Sequence, residues 1–153
     1  MSAEATVQLC SFYVGAQEYA LDIMRIEEIL QPPPVTPVPR APPVVEGVVN
    51  LRGVILPVVD LRRQLEAGAP PPKLKPKLMV CWVGRRRVGV LVDGVSDVVR
   101  LRPSDIKPAP ALATGAVDPF VVGVCGPPDR LKLLLSLKAL LRLSSPAGVK
   151  GPT

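Results

Sequence analysis

The chain has 153 residues, close to the roughly 150-residue size of one domain, and 48% of them are hydrophobic against 21% charged. It contains no histidine, which excludes phosphohistidine relays, Ser-His and Cys-His nucleophile pairs, the usual general base and the commonest metal ligand. A net charge of +6 admits nucleic acid as a partner, but the charge is dispersed and the five aromatics (Phe12, Tyr13, Tyr19, Trp82, Phe120) give bases little to stack on.

Valine- and isoleucine-rich runs of five to eight residues, broken by Gly or Pro, predict short strands and a mainly β chain. Val7 to Val14 reads as a strand turning through Gly15 to Glu18, and Tyr19 to Ile23 continues it with Tyr19, Leu21 and Ile23 on one face. Ile26 to Gln31 is the next strand. Residues 32–43 carry seven prolines, which forbid a central strand and impose an extended edge or loop. Gly47 to Leu51 and Val54 to Leu61 read as a hairpin turning at Arg52-Gly53, followed by a short helix Arg62 to Glu66. Pro70, Pro71, Pro72 and Pro76 make a stiff linker. Leu78 to Val83 and Val88 to Asp93 form a hairpin around Gly84 to Arg87, and Val95 to Leu101 and Phe120 to Cys125 add strands. Leu131, Leu133 and Leu135 alternate, after which Ser136 caps a closing helix Leu137 to Leu143.

The order repeats. Val14-Gly15 and Tyr19 to Leu21 fall on Val83-Gly84 and Val88 to Val90 at an offset of 69, which also puts Ile26 to Ile29 on Val95 to Val98. Further on, Val59 to Arg62 fall on Leu135 to Lys138 at an offset of 76, together with Gly47-Val48 on Gly123-Val124. Valine-rich strands also match by chance, so duplication and coincidence both stand here. A duplication would pack two small β units side by side, with an apolar groove at their junction as a preferred site for a ligand or partner.

Cys10, Cys81 and Cys125 are odd in number, far apart and set in apolar surroundings, which predicts buried free thiols in a reducing compartment rather than a metal site. No basic segment followed by an apolar core opens the chain, so a cytoplasmic location is expected. Leu131 to Leu143 is too short and, with Lys132, Lys138 and Arg142, too charged to span a membrane. Asp22, Glu27, Glu28, Asp60, Asp93, Asp97 and Asp105 offer carboxylates, but no metal-loop, phosphate-loop or nucleophile motif accompanies them. No catalytic residue, metal or cofactor is expected.

One constellation stands out, the segment Gly47 to Leu61 with Arg52 at its hairpin tip. A lone cation in so apolar a neighbourhood is costly unless an acid pairs with it, and Glu28 is the candidate partner. A solvent-exposed turn arginine is the alternative.

At these residues the chain resembles the CheW family of bacterial chemotaxis coupling proteins. The resemblance is carried by Tyr19 to Leu30, Val35 to Pro42, Gly47 to Leu61, and Val88 to Val98 followed by Ile106 to Pro110. It covers about residues 7–143, with extra prolines at 32–34 and 70–72 as departures. It implies one CheW-like domain over 7–143, built of two SH3-like five-stranded β-barrels with short helices and a hydrophobic groove between them. The first barrel is expected at about 15–69 and the second at 77–143, with strand 7–14 pairing with either and a short flexible tail over 144–153. The implied function is a non-catalytic scaffold tying the cytoplasmic tips of methyl-accepting receptors to the regulatory domain of the CheA histidine kinase, with other CheW-like proteins as further partners in receptor arrays. Receptor-contact positions carry over to Ile23, Ile26, Glu28, Arg52, Gly53, Val95, Val98 and Gly123, and kinase-contact positions to Leu30, Val35 and Val38. At this length no kinase, dimerisation helix pair or phospho-receiver domain is expected beside it. A metabolite-binding barrel and a nucleic-acid-binding barrel are the rival readings, and neither nucleic acid nor membrane insertion is expected.

Overall fold

The computed structural model describes residues 5–65, 68–70, 72–108 and 120–144. Strands β1 (Val7–Val14) and β2 (Gln17–Asp22) form a tight hairpin at Gly15, whose φ of 63° suits a residue without Cβ. A 3₁₀ turn, Ile23–Arg25, then redirects the chain, held by the Asp22 carboxylate accepting the Met24 N–H. In β3 (Ile26–Leu30) Ile26, Glu28 and Leu30 share the half-buried face while Glu27 and Ile29 are exposed, the period of two that an edge strand shows. The prolines that follow allow one ladder contact, in which Thr36 and Val48 exchange both hydrogen bonds at 2.9 and 2.8 Å.

β4 (Val45–Leu51) and β5 (Val54–Asp60) pair in the expected hairpin, and Asp60 caps the single-turn helix α1 (Leu61–Gln64) through the Arg62 N–H. The helix was expected over Arg62 to Glu66, and Glu66 lies outside the described residues. β6 (Lys77–Val83) and β7 (Arg86–Val92) form the central hairpin of their sheet, and their long buried runs reflect cover on both faces. β8 (Gly94–Leu101), β9 (Val121–Cys125), β10 (Lys132–Leu135) and α2 (Leu137–Ser144) complete the chain. Ser136 Oγ accepts the Ala139 N–H at 3.1 Å, the cap read from the sequence. The tail expected over 144–153 lies, apart from Ser144, outside the described residues.

The strands form two five-stranded sheets, ordered β8-β1-β2-β10-β9 and β3-β6-β7-β5-β4. Replacing each strand of the first order by its counterpart in the repeat (β1 by β6, β2 by β7, β8 by β3, β10 by β5, β9 by β4) yields the second order. The duplication is therefore structural. It also overturns the division into 15–69 and 77–143, because each sheet takes a hairpin from one half of the chain and three strands from the other. The physical cause is the redirection at Ile23–Arg25, which sends β3 across to pair with β6, while β2 pairs in parallel with β10 and β5 with β7. Parallel neighbours require a crossover, and here the crossover is the exchange between halves. Strand 7–14 belongs with β2 and β8.

One shared core joins the sheets. Phe12, Val14, Tyr19 and Leu21 of the first pack with Val59, Met79, Cys81, Val88, Val90 and Val92 of the second and with Leu135, Leu137 and Leu140. At about 1.5–3 kcal/mol for each fully buried aliphatic or aromatic side chain, this layer binds the two halves into one unit. Each sheet also encloses a smaller cluster of its own, around Leu78 and Val80 in one and Leu9 and Ala20 in the other. The three cysteines are buried and free, as their surroundings predicted.

Candidate functional site

The β4–β5 hairpin closes in two residues, Arg52 at φ 52° and Gly53 at φ 86°, with the Asn50 carboxamide oxygen accepting the Gly53 N–H at 2.9 Å. Two positive φ values mark the turn type that matches strand twist, and Gly or Asn ordinarily fills its first position. An arginine there costs about 1–2 kcal/mol. What the position gives is aim: Arg52 Nη2 donates to Glu28 Oε1, the partner expected from the sequence. Glu28 lies on β3 and Arg52 beyond β4, the two edges of one sheet, so the ion pair bridges the opening between them and draws the sheet towards a barrel. The hydrogen bond and charge of Glu28, with a smaller contribution from Glu27, raise the pKa of the Arg52 guanidinium. The Arg52 side chain remains 68% exposed, followed directly by exposed Val54 and Ile55, while Ile29 beside Glu28 is exposed as well. A fixed, solvent-facing charge amid aliphatic side chains suits protein recognition.

The other expected receptor positions divide by exposure. Ile23 is half-buried in the 3₁₀ turn. Ile26 and Val95 are counterparts in the repeat, and both pack against the shared core. Val98 and its counterpart Ile29 project from the edge strands β8 and β3 at 54% and 39% exposure. Gly123 is set apart by its packing. It is buried, and a Cβ there would lie 2.9 Å from Ile106 Cγ2 and 3.1 Å from the Lys107 oxygen. Its counterpart Gly47 is tighter, 2.3 Å from the Thr36 oxygen. Both glycines admit a crossing segment, Lys107 onto Val124 and Thr36 onto Val48, so Gly123 serves the backbone and offers no surface. Among the kinase positions, Leu30 and Val35 pack on the inner core of their sheet, and Val38 is the exposed member.

The junction between the sheets is largely filled by the shared core. An open cavity of about 360 Å³ remains on one side, walled by residues that include Leu21, Arg25, Trp82, Val122 and Lys138, none of them an expected contact position. The basic turn 85–87 is partly engaged, with Arg87 stacked 5.1 Å from the Trp82 ring centroid and 3.5 Å from Glu27. Among the described residues no three metal-ligating side chains converge.

Sequence reasoning missed two buried polar clusters. Asp93 Oδ2 accepts the Gly15 N–H at 2.7 Å while Arg62 grips Asp60 through two 2.9 Å hydrogen bonds. Glu18 accepts from Arg130 at 2.6 Å beside Lys132 at 3.8 Å. The doublet Val92-Asp93 at a strand end is too common a pattern to have marked the first, and the second joins residues 112 apart.

Comparison with known proteins agrees with this architecture. A family model described as "CheW-like domain" matches residues 8–145. The chain is 39% identical over 133 residues to a chemotaxis protein CheW of Rhizobium meliloti, covering 87% of this chain and 86% of that one. It is 35% identical over 130 residues to the CheW of Klebsiella aerogenes, covering 85% and 78%. Protein FrzA of Myxococcus xanthus is 32% identical over 131 residues, covering 84% and 82%. Among solved structures, the scaffolding protein TtCheW from Thermoanaerobacter tengcongensis superposes with a TM-score of 0.78 at 26% identity, over 89% of this chain and 92% of that one.

Proposed function

The chain belongs to the CheW family, and from that premise we propose that its Arg52 tip and edge strands form the receptor-facing surface of a chemotaxis coupling protein. Its fold is that of two SH3-like subdomains, and its role is that of a non-catalytic adaptor coupling chemotaxis receptors to CheA. Residues 1–153 hold no histidine, so this chain takes part in the signalling complex without carrying a phosphohistidine.

The observation that carries the surface assignment is the Arg52–Glu28 pair, which presents a locked guanidinium beside exposed Val54 and Ile55. A helical receptor tip docks by laying an apolar stripe on Ile23, Ile26, Val95 and Val98, with Glu28 and Arg52 setting its orientation through charge and Gly53 as the contact beside them. The kinase's regulatory domain is met at Val38, backed by Leu30 and Val35. Each contact is modest, and assembly comes from several of them acting together on one small rigid body, with other CheW-like chains as further neighbours. The chain works in the cytoplasm at membrane receptor arrays. Among the described residues no helix is long and apolar enough to cross a membrane.

The test is Arg52→Glu, which sets a second carboxylate against Glu28 and reverses the charge at the tip. Capture by an immobilised receptor signalling fragment should fall by about tenfold, the equivalent of about 1.4 kcal/mol. The thermal midpoint should stay within a few degrees, because the charge is exposed. Unchanged capture would remove Arg52 from the receptor surface.

A further inference from the structure

The two halves of the chain treat one equivalent place in opposite ways. In one, the Asp93 carboxylate is buried, accepts the Gly15 N–H at 2.7 Å and lies 3.8 Å from Arg62, while Asp60 holds Arg62 by two further hydrogen bonds. In the other, the repeat places Gly84 at Gly15, Lys138 at Arg62, Ser136 at Asp60 and Met24 at Asp93. Both carboxylates are gone and the cation is kept. The backbone is kept as well, with φ of 63° at Gly15 and 64° at Gly84. The 3₁₀ turn Ile23–Arg25 carries Met24 into solvent, 82% exposed, so no side chain enters from that position.

What remains is the cavity of about 360 Å³, with Gly84, Ser136 and Lys138 on its wall, Arg25 as a second cation and Trp82 and Val122 as apolar surface. Among the described residues neither Arg25 nor Lys138 has an ion-pair partner, and the Gly84 N–H has no acceptor. Asp22 also lines the cavity, but its carboxylate already accepts the Met24 N–H at 2.9 Å. Two cations against one committed carboxylate leave a positive, half-apolar recess where the sister site is filled by an acid.

We propose that this cavity is a docking site for a partner protein, taking one acidic side chain and the large apolar residue beside it. The carboxylate occupies the place that Asp93 fills in the sister site, accepting from the Gly84 N–H and pairing with Lys138 and Arg25, while the apolar neighbour packs on Trp82 and Val122. None of the receptor or kinase positions lines the cavity, and Asp22, Arg25 and Val122 adjoin Ile23, Ile26 and Gly123 in the chain. The proposal rests on the adaptor reading only for the class of occupant, a protein.

The probe is the tripeptide acetyl-Leu-Glu-Leu-amide, titrated into the ¹⁵N-labelled full chain at constant ionic strength, with acetyl-Leu-Gln-Leu-amide as the neutral twin. Saturable shifts are expected at the Gly84 amide and the Trp82 indole N–H, with the glutamine peptide weaker by roughly tenfold or more. The double variant Arg25→Gln/Lys138→Gln should lose the shifts and keep the rest of the spectrum. No saturable shift at Gly84, equal binding of the two peptides, or undiminished shifts in the double variant would each overturn the site. Neither receptor nor kinase enters the experiment, so its failure leaves the adaptor reading standing.

Discussion

Glu18→Gln removes a buried charge from the start of β2 while keeping the shape of the side chain. Glu18 is 4% exposed, and its Oε1 accepts from Arg130 at 2.6 Å while Ser11 donates to Oε2 at 3.3 Å and Lys132 Nζ stands 3.8 Å away. Arg130 is half in solvent and recovers hydration when its partner goes. Lys132, 7% exposed, does not. Leaving one member of a buried pair uncompensated costs about 3–5 kcal/mol, and the accessible arginine argues for the low end, about 3 kcal/mol. For a chain of this size that corresponds to a fall in Tm of about 6–12 °C, read by circular dichroism at neutral pH.

The pH dependence follows with a definite sign. Burial pushes the Glu18 carboxyl up, but the hydrogen bond from Arg130 and the charges of Lys132 and Arg130 outweigh it and hold the group below its ordinary value. A folded pKa below the unfolded one contributes stability above the unfolded value, about 4.3, and loses it as pH falls through the folded value. The gap between wild type and Glu18→Gln should therefore close on acidification below about pH 4.3. Glu18→Gln/Lys132→Met, which removes both charges, should lose less than Glu18→Gln alone. A Tm change under about 2 °C for the single variant, less than the cost of one kcal/mol, or additive losses in the double would refute the reasoning.

Other outcomes follow from the same geometry. Val38→Asp should weaken binding of the CheA regulatory domain by about tenfold with receptor binding spared, measured by titration calorimetry with each partner; a loss of both would mean that Val38 supports the fold instead. Gly47→Ala drives a Cβ to 2.3 Å from the Thr36 backbone oxygen, so urea unfolding should show a loss of about 2–3 kcal/mol. Gly53→Ala meets open space but keeps a φ of 86°, and should cost only about 1–2 kcal/mol. Burial pushes the Cys81 thiol up to about 12, and Cys10 and Cys125 are raised by the same cause. Iodoacetamide at neutral pH should leave the native chain unmodified and label all three thiols in urea, and native labelling at Cys81 would contradict its place in the core.

Much of the fold was legible because its signals are local. The strand over 7–14, the Gly15 and Gly84 turns and the Ser136 cap depend on residues close in sequence, and the structure places them where the pattern does. The Arg52–Glu28 pair was legible for a different reason: a cation at an apolar tip demands an acid, and Glu28 was the acid across the unit. The exchange of strands between halves was not legible. Periodicity identifies a strand and its buried face but not its neighbour, and the pairing of Tyr19 with Leu133 spans more than a hundred residues. A motif likewise does not report how deeply a residue is buried. Gly123 matches in sequence yet is covered by Ile106 and Lys107, and Leu30 on β3 and Val35 in the segment after it both turn inward onto an inner core. Arg25 and Lys138 were not site candidates because a contrast between the two halves, not a motif, marks them.

The central claim is that this chain joins receptor to kinase. The direct measurement is three-component co-sedimentation of a receptor signalling fragment in assembled form, the CheA kinase and this chain. Kinase in the pellet should rise with added chain to saturation, and Arg52→Glu at the same concentration should leave it near the level without the chain. A kinase fraction that is the same with and without the chain would contradict the account.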